Sequence, residues 1–136
     1  MQLLRPERST DTATAWAIRV SVAVVFFLVG IDKFLPGSSL YWIHVFDTIG
    51  LGQSFRYFTG IVEIVGGLLF LVPVATPFGA AMLVATMLGA MIVQAAIFKH
   101  PLDSIFPGMY LVGVVIAFSK VRRDGAPSAK NGSVRE

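Results

Sequence analysis

Glu63 is the only charged residue between Arg56 and Lys99. A carboxylate in a membrane-spanning helix is expensive, faces protein rather than lipid, and by default marks a functional position. Thr59, Gly60, Gly66 and Gly67 flank Glu63 at one-turn spacing, so its helix face is small and partly polar. Lys33 is the expected counter-ion, reaching inward on its long stem. A buried carboxylate and ammonium can hydrogen-bond a carbonyl or exchange protons with it. Asp32, Arg56, Lys99, His100 and Asp103 fall at the same end of the apolar segments. Arg56 lies on the face of Glu63, about 10 Å along the helix axis. One reading is a polar pocket centred on Glu63. The other is a structural ion pair that fixes helix register, with Arg56, Lys99 and Asp103 at ordinary interface positions.

Arg19 falls inside the opposite half of the first apolar segment. Its guanidinium can snorkel to phosphate headgroups, or pair internally with a helix C-terminus or a bound anionic headgroup. The two histidines, His44 and His100, sit in a loop and at a helix end. That argues against haem, whose cross-bundle ligands face each other inside the spans. Neither histidine has metal-ligand spacing with carboxylates. The chain has no cysteine, which excludes disulfides, thiolate metal sites and iron–sulfur clusters of its own. No glycine-rich phosphate loop or nucleophile elbow is present.

The elements that must hold these residues are membrane helices. The chain of 136 residues is 55% hydrophobic and 14% charged, against about 25% charged in soluble domains. Four apolar runs are too long for strands and lack period-2 alternation. The expected spans are 13–34, 56–74, 78–98 and 103–121, within one domain over 13–121. Pro73, Pro77 and Gly79 break the second from the third. The first is not a cleaved signal peptide, because its apolar core is too long and three more spans follow. Residues 1–12 form a polar N-terminal segment, and the tail 122–136, rich in small and polar residues, is expected to be disordered.

The fold class is therefore all-α: an integral membrane four-helix bundle with a short interfacial helix in its first outer loop. That loop, Pro36 to Ser54, is crowded with Leu40, Tyr41, Trp42, Ile43, Val45, Phe46 and Ile49. His44, Asp47 and Thr48 share one face. Ser38 or Ser39 can start the helix and Gly50 can end it, with Tyr41 and Trp42 at headgroup level. It is placed to act as a lid. In the third span Ala81, Ala85 and Gly89 recur every four residues, a spacing that allows tight helix packing within the bundle or across a homodimer.

Orientation follows from the basic residues. Arg5, Arg8, Arg19, Lys120, Arg122, Arg123, Lys130 and Arg135 lie on one side, and only Lys33, Arg56 and Lys99 on the other. Both termini are expected in the cytoplasm. The basic residues gather at the chain ends rather than in a folded patch, so the net charge of +3 does not point to nucleic acid.

Arg19, then Gly30-Ile-Asp-Lys33-Phe34, then Gly50-Leu-Gly, then Gly60-Ile-Val-Glu63-Ile-Val-Gly66-Gly67-Leu-Leu, resembles the DoxX-like family of small bacterial membrane proteins. The resemblance covers roughly Trp16 to Lys120, and His100 fits it too. It departs at Pro73-Val-Ala-Thr-Pro77, where a glycine and a basic residue are expected. The resemblance implies a four-helix bundle in the bacterial cytoplasmic (inner) membrane. The family is named after a subunit associated with a terminal oxidase and a thiosulfate:quinone oxidoreductase, and other members are linked to oxidative-stress or sulfur-related membrane complexes. Carried over, Arg19, Lys33, Glu63 and His100 are the positions that matter.

Three functions fit these residues. The first is an accessory or quinone-facing subunit of a membrane redox system. It has no covalent cofactor or electron carrier and works with a membrane or periplasmic partner protein. The second is a non-catalytic structural or assembly protein. The third is a small proton-coupled transporter, which the outer-half position of Glu63 disfavours, because coupling sites lie near the midplane.

Overall fold

A computed structural model describes residues 7–99 and 101–124. Helix α1 runs Glu7–Asp32, α2 Ser39–Thr48, α3 Gly52–Leu71, α4 Thr76–Ile92 and α5 Ile105–Asp124. A π-helical turn, Val93–Ile97, extends α4, and a 3-10 turn, Pro101–Ser104, leads into α5. No strand occurs among the described residues.

Among the described residues, four segments are long and apolar enough to cross a bilayer: Ala13–Asp32, Gly52–Leu71, Thr76–Ile97 and Leu102–Asp124. The chain is a multi-pass membrane protein with the expected all-α architecture. The boundaries differ in detail from the sequence expectation. Helix α1 begins at Glu7, so part of the polar N-terminal segment is helical. Helix α3 begins at Gly52, four residues before the expected start at 56. Helix α5 runs on to Asp124, so Arg122 and Arg123 belong to a helical turn. Residues 1–6 and 125–136, including most of the expected tail, lie outside the described residues.

The helices pack in a closed ring. Helix α1 lies against α3 and α5, and α4 against α3 and α5, while α2 rests on α3. Phe26, Phe70, Leu83 and Val114 fill the centre with Ala80, Met87 and Ala117. Leu28, Phe58, Phe78, Ile92 and Met109 point outward, as they must when the solvent is lipid. In lipid, close packing replaces the hydrophobic effect as the force between helices. Two glycine crossings supply it. A Cβ on Gly30 would stand 2.8 Å from the Gly60 carbonyl oxygen, and one on Gly79 would stand 2.6 Å from that of Gly66. Backbones of α1 and α3, and of α3 and α4, therefore touch.

The Ala81, Ala85 and Gly89 stripe does not pack within the bundle. All three are exposed, and a Cβ on Gly89 would meet nothing within 4 Å. Thr76, Gly79, Ala80, Leu83 and Met87 form the buried face of α4. Four-residue spacing defines a face but not its direction, and the bulkier Leu83–Met87 face is the one that fills the core.

The turns follow local chemistry. Val72, extended at φ −85° and ψ 115°, precedes Pro73, whose ring disfavours helix in the residue before it. Pro77 sits in the first turn of α4, where its missing N–H is harmless. Helix α2 ends in a Schellman motif. Gly50 takes φ +76°, its N–H donates to the Asp47 carbonyl at 3.1 Å, and the Leu51 N–H donates to that of Phe46 at 3.2 Å. A left-handed glycine is what this motif requires. The start of α2 differs from expectation. Ser38 makes no side-chain cap; its hydroxyl donates instead to the Asp32 carbonyl at 2.6 Å, tying the loop to the end of α1.

Candidate functional site

The glycine crossing positions the site. Lys33 follows Gly30 by three residues, and Glu63 follows Gly60 by three. Because α1 and α3 run in opposite directions, these steps carry the two residues apart along the axis by roughly 9 Å. The Lys33 stem spans that gap. Its ammonium folds back until Nζ is 3.5 Å from the Val29 carbonyl and 2.6 Å from Glu63 Oε2. Both side chains are 4% exposed. The pair that the sequence pointed to is formed and sealed.

A roof covers it. The indole of Trp42, on α2, lies over the Lys33 ammonium with its centroid 4.3 Å from Nζ. The same indole donates through Nε1 to Asp32 Oδ2 at 2.8 Å. One tryptophan thus contacts a cation with its face and an anion with its edge, as its ring quadrupole and polar N–H allow. Phe46, Phe55 and Phe58 extend the aromatic cover along α2 and α3. Helix α2 therefore rests on α3 and covers the pair, where a lid would lie.

Arg56 is buried within the protein, at 4% exposure. Its Nη1 donates to the Lys33 carbonyl at 2.7 Å, and its Nη2 donates to the Tyr57 hydroxyl at 2.7 Å. The guanidinium also lies over the Tyr57 ring, 4.4 Å from the centroid, while Tyr57 stacks on Phe34. Its Nε–H is buried and has no acceptor among the described residues. One turn away on α3, Gln53 donates to Asp47 Oδ1 at 2.8 Å and leaves its own Oε1 buried and unpaired. Buried polar atoms are nearly always satisfied, so two orphans this close call for an explanation.

The formal charges balance. Lys33 and Arg56 offset Asp32 and Glu63 when all four are ionised. Such a cluster has no net demand for a counter-ion, and among the described residues the buried atoms left open beside it are the Arg56 Nε donor and the Gln53 Oε1 acceptor.

The remaining candidates separate from this cluster. Lys99, in a left-handed turn at φ +54°, and Asp103 are exposed, as interface positions would be. His100 lies outside the described residues. His44 is exposed on α2. Thr59 donates back to the Arg56 carbonyl. Arg19 is about 21 Å from Lys33 along α1. It does not snorkel: at 8% exposure its Nη1 donates to the Phe70 carbonyl at 2.9 Å and to the Thr76 hydroxyl. It thereby neutralises the negative C-terminal end of α3. Sequence reasoning missed Gln53, Tyr57 and Thr76 as partners and read Trp42 as a headgroup anchor. The aromatic residues beside Asp32–Lys33 and Arg56 were the available signal.

With this geometry in view, the profile of the DoxX-like family matches residues 17–117. The chain belongs to the DoxX-like family. The match includes Arg19, Asp32, Lys33, Arg56 and Glu63, the whole of the second and third membrane segments and most of the first and fourth. No curated protein and no solved structure matches the chain.

Proposed function

We propose that this DoxX-like protein is an accessory subunit of a membrane redox system, and that its Lys33–Glu63–Arg56 cluster receives the headgroup of a quinone. The observation that carries this reading is the orphaned Arg56 Nε–H beside the sealed ion pair. A quinone carbonyl supplies the missing acceptor, and the hydroxyl of a reduced quinone supplies a donor for Gln53 Oε1. A neutral ligand also suits a cluster without net charge. The chain brings no electron carrier to this site, so a partner protein sulfur-linked or stress-linked in its chemistry would provide the electrons. The excess of Lys and Arg at the chain ends supports an inner-membrane topology with both termini in the cytoplasm and the cluster toward the periplasm.

Trp42 makes the reading testable. The chain has two tryptophans, so Trp16→Phe leaves Trp42 as the sole indole fluorophore. A short-chain ubiquinone added to that variant in detergent should quench Trp42 saturably, and Arg56→Lys should weaken the effect about tenfold, one charge-assisted hydrogen bond's worth. Quenching that rises linearly with quinone and ignores Arg56→Lys would reflect partitioning into micelles and would overturn the proposal.

A second reading has its own support. The 2.6 Å contact between Lys33 and Glu63, each 4% exposed, is also what a structural lock between α1 and α3 requires. A scaffold of this kind predicts that Glu63→Gln alters stability or recovery of a complex and leaves Trp42 quenching untouched.

A further inference from the structure

The other end of the bundle holds a cleft that the quinone reading does not use. Its volume is about 670 Å³, within the size range of small-molecule sites. Val74, Pro77, Phe118 and Val121 give it apolar walls, and Arg19 and Arg122 bring it two guanidinium groups. No carboxylate is among its lining residues.

Arg19 is more than nine-tenths buried, yet its bonds to the Phe70 carbonyl and the Thr76 hydroxyl both leave from Nη1. Among the described residues no such bond leaves from Nε or Nη2. Together they form the edge of the guanidinium that grips two oxygens of one phosphate or carboxylate. Thr76 and Pro77 open α4, which has no side-chain cap, so the positive end of that helix dipole meets the same space. Arg122 lies in the last turn of α5, across the cleft from the α3–α4 turn. The surroundings are apolar: Val74 is 87% exposed and Phe78 69% exposed. That combination describes an amphiphile with an anionic head.

We propose that this cleft binds an anionic phospholipid, its phosphate held by Arg19 and Arg122 and an acyl chain lying against Val74, Pro77, Phe118 and Val121. Basic pockets between membrane helices are suited to anionic headgroups. The lipid would complete the donor set of an arginine that already staples the end of α3 to the start of α4. Its occupancy would therefore stabilise the turn between those helices.

The test uses the full chain in a neutral detergent, with melting temperature and native mass spectrometry as readouts. Phosphatidylglycerol should raise the melting temperature saturably and remain as a one-to-one adduct, while phosphatidylcholine and inorganic phosphate should do neither. Arg122→Gln, which spares the Arg19 staple, should weaken the phosphatidylglycerol effect about tenfold. Val74→Asp, at a site where the side chain is free, should abolish the preference for phosphatidylglycerol by placing a carboxylate in the cleft. Equal shifts from the two lipids, or an Arg122→Gln variant that keeps the full preference, would overturn the proposal. A shift produced by inorganic phosphate alone would also overturn it, since the site would then read a free anion rather than a lipid.

Discussion

Removing either partner of the Lys33–Glu63 pair should harm the protein, and removing both should harm it no further. The two groups touch at 2.6 Å with side chains 4% exposed, so each is the other's neutralising charge in a low-dielectric setting. Truncating one leaves a buried charge without compensation, at about 3–5 kcal/mol. Glu63→Ala strands the Lys33 ammonium beneath Trp42, and Lys33→Ala strands the Glu63 carboxylate between α1 and α3. The double variant strands neither. Its loss should match a single variant, which puts the magnitude of the coupling energy at about 3–5 kcal/mol, at or above the upper end for contacting pairs. The assay is a double-mutant cycle by thermal or denaturant unfolding in detergent micelles. A double replacement by apolar residues of similar volume, Lys33→Met with Glu63→Leu, should recover most of the stability, because buried ion pairs are rarely better than well-packed hydrophobes. Additive losses from the two alanine variants would refute the reasoning, since non-interacting groups add.

Three further outcomes follow from the packing. Gly79→Ala places a Cβ 2.6 Å from the Gly66 carbonyl and should lower unfolding stability by about 1–3 kcal/mol, while Gly89→Ala, open on the outside, should stay within about 0.5 kcal/mol. Arg19→Gln removes the charged donor from the Phe70 carbonyl and should cost about 1.5–3 kcal/mol, with amide hydrogen exchange rising first around Phe70 and Val72. Trp42→Phe keeps the ring but loses the bond to Asp32; it should speed labelling of Lys33 by an amine reagent, and an unchanged rate would mean that α2 does not guard the ammonium.

Much of the architecture was legible because lipid makes simple demands. A segment near 20 apolar residues must be a helix, and a lone carboxylate within one must find a partner, so Glu63 and Lys33 could be matched without a structure. Arg56 could not be placed the same way. Its position near the start of a span resembles any interface arginine, and only the fold brings the Lys33 carbonyl and the Tyr57 hydroxyl to it. Arg19 was legible as a cation inside a span with two possible fates, snorkelling to headgroups or pairing internally. Which one holds depends on the Val72–Ala75 turn, which brings the Phe70 carbonyl and Thr76 to the same point. The expected basic residue is absent from that turn, and the sequence does not show that Arg19 reaches in from α1 instead. The small residues of α4 do not make the expected crossing within the bundle for a related reason. Ala81, Ala85 and Gly89 have the right spacing for a tight crossing, but the crossings that occur use Gly79 against Gly66 and Gly30 against Gly60. Direction on a helix is set by its neighbours, and a single span carries no mark of them.

The central claim is that a ligand carbonyl meets Arg56 beneath α2. Photolabelling with an azidoquinone in membranes, followed by peptide mapping, tests it directly. A quinone held at Arg56 should give a saturable label confined to α2 and the first half of α3, displaced by unlabelled quinone and lost in Arg56→Lys. Label spread over lipid-facing positions such as Phe78 and Met109, and indifferent to Arg56, would contradict it.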